Sequence, residues 1–78
     1  MLDKNLNIYL QKGEFKKALN ILEDLIKNGK QNVNIFFQLA KIYFKLNDYK
    51  KCIFYFRKCN QIEPNSPKIL YNLALVFQ

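Results

Sequence analysis

One register dominates this chain: shifted by 34 residues, it matches itself without a gap. Leu2 falls on Phe36 and Leu70, Leu6 on Ala40 and Ala74, and Tyr9 on Tyr43 and Phe77. Ile8 falls on Ile42 and Val76. Further along, Gly13 falls on Asn47, Phe15 on Tyr49, Lys16-Lys17 on Lys50-Lys51, Ala18 on Cys52 and Leu22 on Phe56. Size classes are kept at many of these sites. A short supersecondary unit repeated at a fixed period cannot bury its apolar face alone and must stack on its neighbours. That requirement excludes most folds open to 78 residues.

Within each unit the apolar spacing is helical. Phe36, Leu39, Ala40, Tyr43 and Phe44 follow i, i+3, i+4, i+7, i+8, and Tyr49, Cys52, Ile53, Phe56 and Cys59 paint a similar stripe. Breaks stand where the stripes end. Gly13, Gly29 and Asn47 are residue types that accept the left-handed conformation closing a helix. Asp48 and Ser66 suit N-caps, and Pro67 suits a first helical position. These signals predict helices near 2–12, 15–28, 33–46, 49–62 and 67–77. No strand pattern competes.

The pattern resembles the tetratricopeptide repeat family. Residues 33–66 carry a full repeat, with Phe36, Leu39, Ala40, Tyr43, Asn47, Tyr49, Cys52, Phe56, Cys59 and Pro64 at signature sites. Cys replaces the usual small Ala twice, and Phe36 stands where Trp is common. Residues 1–32 form a weaker repeat: they keep Tyr9, Gly13, Phe15 and Ala18, but have Asn5 for a Leu and Lys30 for the closing Pro. Residues 67–78 supply the first helix of a third repeat. The resemblance implies an all-α, right-handed superhelical solenoid of about two and a half repeats and five helices, forming one domain over residues 1–78.

Composition removes several kinds of chemistry. The chain has no His, so imidazole catalysis and ligation are excluded within it. Its six carboxylates form no recognisable acid–base pair, and Glu14 and Asp48 both sit where a negative charge complements a helix N-terminus. Gly13 and Gly29 are isolated, so there is no phosphate-cradling loop. Cys52 and Cys59 lie seven apart on one predicted helix, about 10 Å between α-carbons and beyond disulfide reach. Both take positions that need a small packing residue. The reading is a non-enzyme without cofactor or metal. No apolar run is long enough for a membrane span, and the start lacks a signal-peptide core, which points to the cytoplasm or nucleus.

What remains is surface. The formal charge is +7, but 12 of the 13 basic residues are Lys and only Arg57 is Arg. Lys, Asn, Ile, Phe and Tyr make up over half the chain, a bias toward A- and T-rich codons that accounts for solvated lysines. Base and phosphate recognition leans on Arg, so this balance weighs against nucleic acid.

The tetratricopeptide resemblance implies that first helices line a concave groove. It carries Asp3, Asn7 and Leu10 over from the first helix, Asn34, Phe37, Gln38, Lys41, Phe44 and Lys45 from the third, and Lys68, Tyr71, Asn72 and Leu75 from the fifth. Phe37 and Tyr71 read either as wedges between helices or as peptide anchors, and Gln38 and Asn72 read as an amide ladder. Some family members clamp a carboxylate tail. Here Asn7 and Lys68 match that pattern, while Asp3, Gln38 and Asn72 depart from it, which argues against a standard clamp.

The expected function is a protein–protein interaction module, adaptor or scaffold, that binds a peptide or helical segment of a partner in the groove. The alternatives are an RNA-binding repeat surface and a non-catalytic, substrate-selecting arm of a larger enzyme. The fifth helix is apolar around most of its circumference, so self-association through residues 67–78, or continuation of the solenoid, is also expected.

Overall fold

The computed structural model describes residues 4–77. Among them five helices follow in order: α1 (Lys4–Lys12), α2 (Phe15–Lys27), α3 (Val33–Lys45), α4 (Tyr49–Ile62) and α5 (Pro67–Val76). Each lies within two residues of its expected span over the described residues; Leu2 and Asp3 fall outside them. The described residues contain no strand. The chain forms two compact units, Met1–Lys30 with α1 and α2, and Gln31–Gln78 with α3, α4 and α5.

Helix ends show why the repeat folds as it does. After α1, Gly13 takes φ +73°, its N–H bonds the Leu10 carbonyl at 3.2 Å, and the Glu14 N–H bonds the Tyr9 carbonyl at 2.8 Å. After α3, 34 residues on, Asn47 takes φ +63°, its N–H bonds Phe44 at 3.0 Å, and the Asp48 N–H bonds Tyr43 at 2.9 Å. This is a Schellman closure built twice in register, and it satisfies carbonyls that a helix end otherwise leaves unpaired. Gly29 closes α2 the same way, with bonds to Ile26 and, from Lys30, to Leu25. Asn65 also takes a positive φ, of 64°, a turn that the sequence pattern had not marked.

The starts are less uniform. Asp48 caps α4 by accepting from the Lys51 N–H, and Asn32 caps α3 by accepting from the Ile35 N–H at 3.0 Å. Ser66 does not act as the expected side-chain cap. Its backbone is extended, and Pro67, with φ already fixed near the helical value, starts α5.

In the first unit Leu6 of α1 and Ala18 and Leu22 of α2 are fully buried. In the second, α3 is the central element and buries Ile35, Phe36, Phe37, Leu39, Ala40, Ile42 and Tyr43. That is wider than the expected stripe, and it omits Phe44, which is exposed and sets its ring edge-on to Tyr49 at 5.8 Å. From α4 come Cys52, Phe56 and Cys59, and from α5 comes Ile69. Tyr49 and Ile53, both on the expected α4 stripe, are exposed and half-buried respectively. Tyr55, off that stripe, stacks on Phe36 at 6.0 Å and on Tyr43 at 5.8 Å.

Because Asn47 holds a left-handed backbone, its substitution separates turn geometry from packing. Asn47→Gly is expected to preserve or slightly raise thermal stability. Asn47→Ala should lower it by about 1 kcal/mol, a shift of about 4–8 °C in Tm for a chain of this size. Thermal unfolding followed by circular dichroism at 222 nm, the helix band, checks both.

Candidate functional site

The richest side-chain convergence in the second unit lies where α3, the start of α4 and α5 meet. An open cleft of about 360 Å³ is lined by Lys41, Phe44 and Lys45 of α3, Asn47 of the α3–α4 turn, Tyr49 and Phe56 of α4, and Asn72, Leu75 and Val76 of α5. Helical spacing puts Lys41 and Lys45 one turn apart on one face of α3, and Asn72 and Leu75 likewise on α5. The floor is apolar and the rim carries ammonium and amide groups. The Tyr49 hydroxyl donates to Asn47 Oδ1 at 3.0 Å, which fixes the turn side of the rim.

Phe37 lies beside this cleft and is only 8% exposed. Its ring packs edge-on to Phe56 at 5.6 Å. The Lys68 ammonium sits 4.5 Å from its centroid and the Lys41 ammonium 5.6 Å. Phe37 is therefore an inter-helix wedge and not a projecting anchor, because α4 supplies a ring against which α3 packs it. Two cations, one from α3 and one from α5, are each attracted to this ring.

The other expected groove residues are placed as follows. Tyr71 is 66% exposed on α5. Asn34 and Lys45 are exposed and Gln38 is half-buried on α3. Asn72 is half-buried and donates from Nδ2 to the Lys68 carbonyl at 2.7 Å, so one donor of the expected amide ladder is committed to its own helix. Asn7 is exposed on α1, in the first unit. Asn47, Tyr49, Phe56 and Val76 line the cleft without being expected groove residues. Asn47 reads in sequence as a turn residue and Tyr49 as the first residue of the α4 stripe, and nothing local shows that this turn closes one end of a cleft.

Charge accumulates in the second unit. Residues 31–78 hold seven basic residues against Asp48 and Glu63. The cleft itself contains two lysines and no carboxylate.

A profile of the family described as anaphase-promoting complex, cyclosome, subunit 3, a tetratricopeptide-type repeat family, matches residues 11–77. The chain belongs to that family. No solved structure matches it. Its all-α helical-repeat fold agrees with the family, whose repeats are generally non-catalytic protein–protein interaction modules. None of the described helices is long and apolar enough to cross a membrane.

Cys52 and Cys59 are free and fully buried. Cys59 Sγ lies 3.6 Å from the Val33 carbonyl, as a weak donor to the start of α3. Burial pushes both thiols up from 9.0 to about 11, helped by the charge of Asp48 on Cys52 and of Glu63 on Cys59. These are packing residues, since thiolate chemistry needs a depressed and accessible thiol.

The raised values mean that the folded state holds these protons more tightly than the unfolded one. Their contribution to stability is complete below pH 9.0 and is lost as pH climbs toward about 11. Alkylation by iodoacetamide should accordingly stay slow in the native protein through pH 9 and become fast on adding denaturant at the same pH. Mass spectrometry of the modified protein reads this directly. Rapid native labelling near neutral pH would show that the thiols are neither buried nor raised.

Proposed function

We propose that this chain is a protein–protein interaction module, an adaptor or scaffold without catalysis, that docks a peptide or helical segment of a partner protein on the α3–α5 face. The observation that carries the reading is the open cleft between α3 and α5, with an apolar floor and a cationic, amide-bearing rim. Such a site suits a segment that buries one apolar side chain while its backbone and acidic groups meet Asn72, Lys41 and Lys45. The family supports the same reading, since its described member is a subunit of a multiprotein complex. Of the groove residues expected from sequence, Tyr71, Asn72, Gln38, Lys41, Lys45, Lys68 and Asn34 act in this docking. Phe37 acts through its contacts with Lys41 and Lys68. The proposed organisation is one solenoid domain in which residues 1–32 and 33–66 are repeats and 67–78 begin a third.

A displayed random-peptide library selected on the full chain tests this. The selected peptides should lose about fivefold or more in affinity to Tyr71→Ala and to Asn72→Ala, with helicity retained. Phe37→Ala should instead unfold the second unit. Peptides insensitive to both α5 substitutions would remove the cleft from the binding site.

A second reading concerns α5 itself. Leu70, at the register position of the buried Phe36, is 45% exposed, and Phe77, at the position of Tyr43, is 63% exposed. We propose that a second copy of the chain covers this face, since contiguous exposed apolar surface drives association. Light scattering over a concentration series should show mass rising with concentration, and Leu70→Glu with Phe77→Glu should hold the protein monomeric. A wild-type monomer at high concentration would rule the self-association out.

A further inference from the structure

The basic stripe of α4 has no place in the α3–α5 cleft. Lys50, Phe54, Arg57, Lys58 and Gln61 follow i, i+4, i+7, i+8, i+11, which places them on one face opposite the buried Cys52, Phe56 and Cys59. With Ile53 they line a second open groove of about 390 Å³. Four cations lie on α4 and no carboxylate does. Of the two nearest in sequence, Asp48 is taken up as the cap of α4, where it accepts from the Lys51 N–H. Phe54, in the middle of the stripe, is 53% exposed. The Lys58 ammonium sits 5.2 Å from its ring, and Tyr55 packs edge-on against it at 5.1 Å.

A run of solvated lysines alone asks for no partner. A half-exposed phenyl ring between cations on a single helix face does. We propose that this outer face of α4 is a second docking surface, and that it takes an acidic amphipathic helix of a partner protein. Lys50 and the Arg57–Lys58 pair stand about two helical turns, or ~11 Å, apart, with Phe54 between them. A partner helix with carboxylates seven residues apart and an apolar residue midway matches that order: charge on Lys50, apolar contact on Phe54, charge on Arg57. Arg57 is the only arginine in the chain, and its planar fork can take a carboxylate with two parallel hydrogen bonds. A nucleic-acid strand fits less well. Only one ring is offered, whereas strand binding uses successive stacking platforms.

The test uses the full chain and a fluorescent helical peptide of about 16 residues that carries two Glu seven apart and a Leu between them. Anisotropy should show saturable binding that weakens with added salt. Arg57→Gln with Lys58→Gln should weaken it about tenfold, and Phe54→Ala several-fold, with the helical circular dichroism signal unchanged. Tyr71→Ala should leave it unaffected, which keeps this surface distinct from the α3–α5 cleft. Titrations of an unstructured RNA of about 12 nucleotides and of phosphatidylserine vesicles complete the comparison. No saturable peptide binding, or binding indifferent to the Arg57 and Lys58 substitutions, overturns the proposal. So does tighter capture of the RNA or the vesicles by the same residues.

Discussion

Tyr55 stacks with two rings of α3 at once, Phe36 and Tyr43, which stand two helical turns apart. Around this clasp the second unit is organised. Stacking on both rings sets the axial register of α4 against α3, because a shift by one turn would leave one ring without its partner. With the register set, Phe56 meets Phe37, Cys52 and Cys59 lie buried, and the Cys59 thiol reaches the start of α3. Aromatic pairs of this kind add about 0.5–1.5 kcal/mol beyond the area they bury. In a chain of 78 residues, whose total stability is a few kcal/mol, such terms weigh heavily.

The turns make the clasp possible. A short connection makes consecutive helices antiparallel neighbours, and a Schellman closure reverses the chain while satisfying the last carbonyls. Gly13 performs it without strain. Asn47 performs it at the register-equivalent position with a side chain, whose oxygen then accepts from Tyr49. That side chain also lines the cleft, so a turn residue becomes part of the cleft's rim.

The two proposed docking surfaces of the second unit rest on which cations remain at the surface and what lies under them. Lys41 and Lys68 are each attracted to one buried ring at the α3–α5 face. Lys50, Arg57 and Lys58 flank an exposed ring on the outer face of α4. A ring holds a cation in both places, Phe37 with Lys41 and Lys68 and Phe54 with Lys58. In one the ring is core and the cations are presented; in the other the ring itself is presented.

The sequence by itself determined the helices, their ends and the family. The 34-residue register, the apolar spacing and the positions of Gly13, Gly29, Asn47 and Pro67 are local properties, written in residues a few places apart. Pairing was not local. Phe37 could be wedge or anchor until Phe56 was seen to meet it, and Tyr55 looked like an off-stripe tyrosine until Phe36 and Tyr43 were seen on either side. Phe44 lay on the predicted stripe yet is exposed, because α3 is covered around a different and wider arc than one helix period indicates. Only tertiary structure decided these, since a residue's burial depends on the helix that packs against it, and that helix is separated from it by a turn whose geometry sets the register.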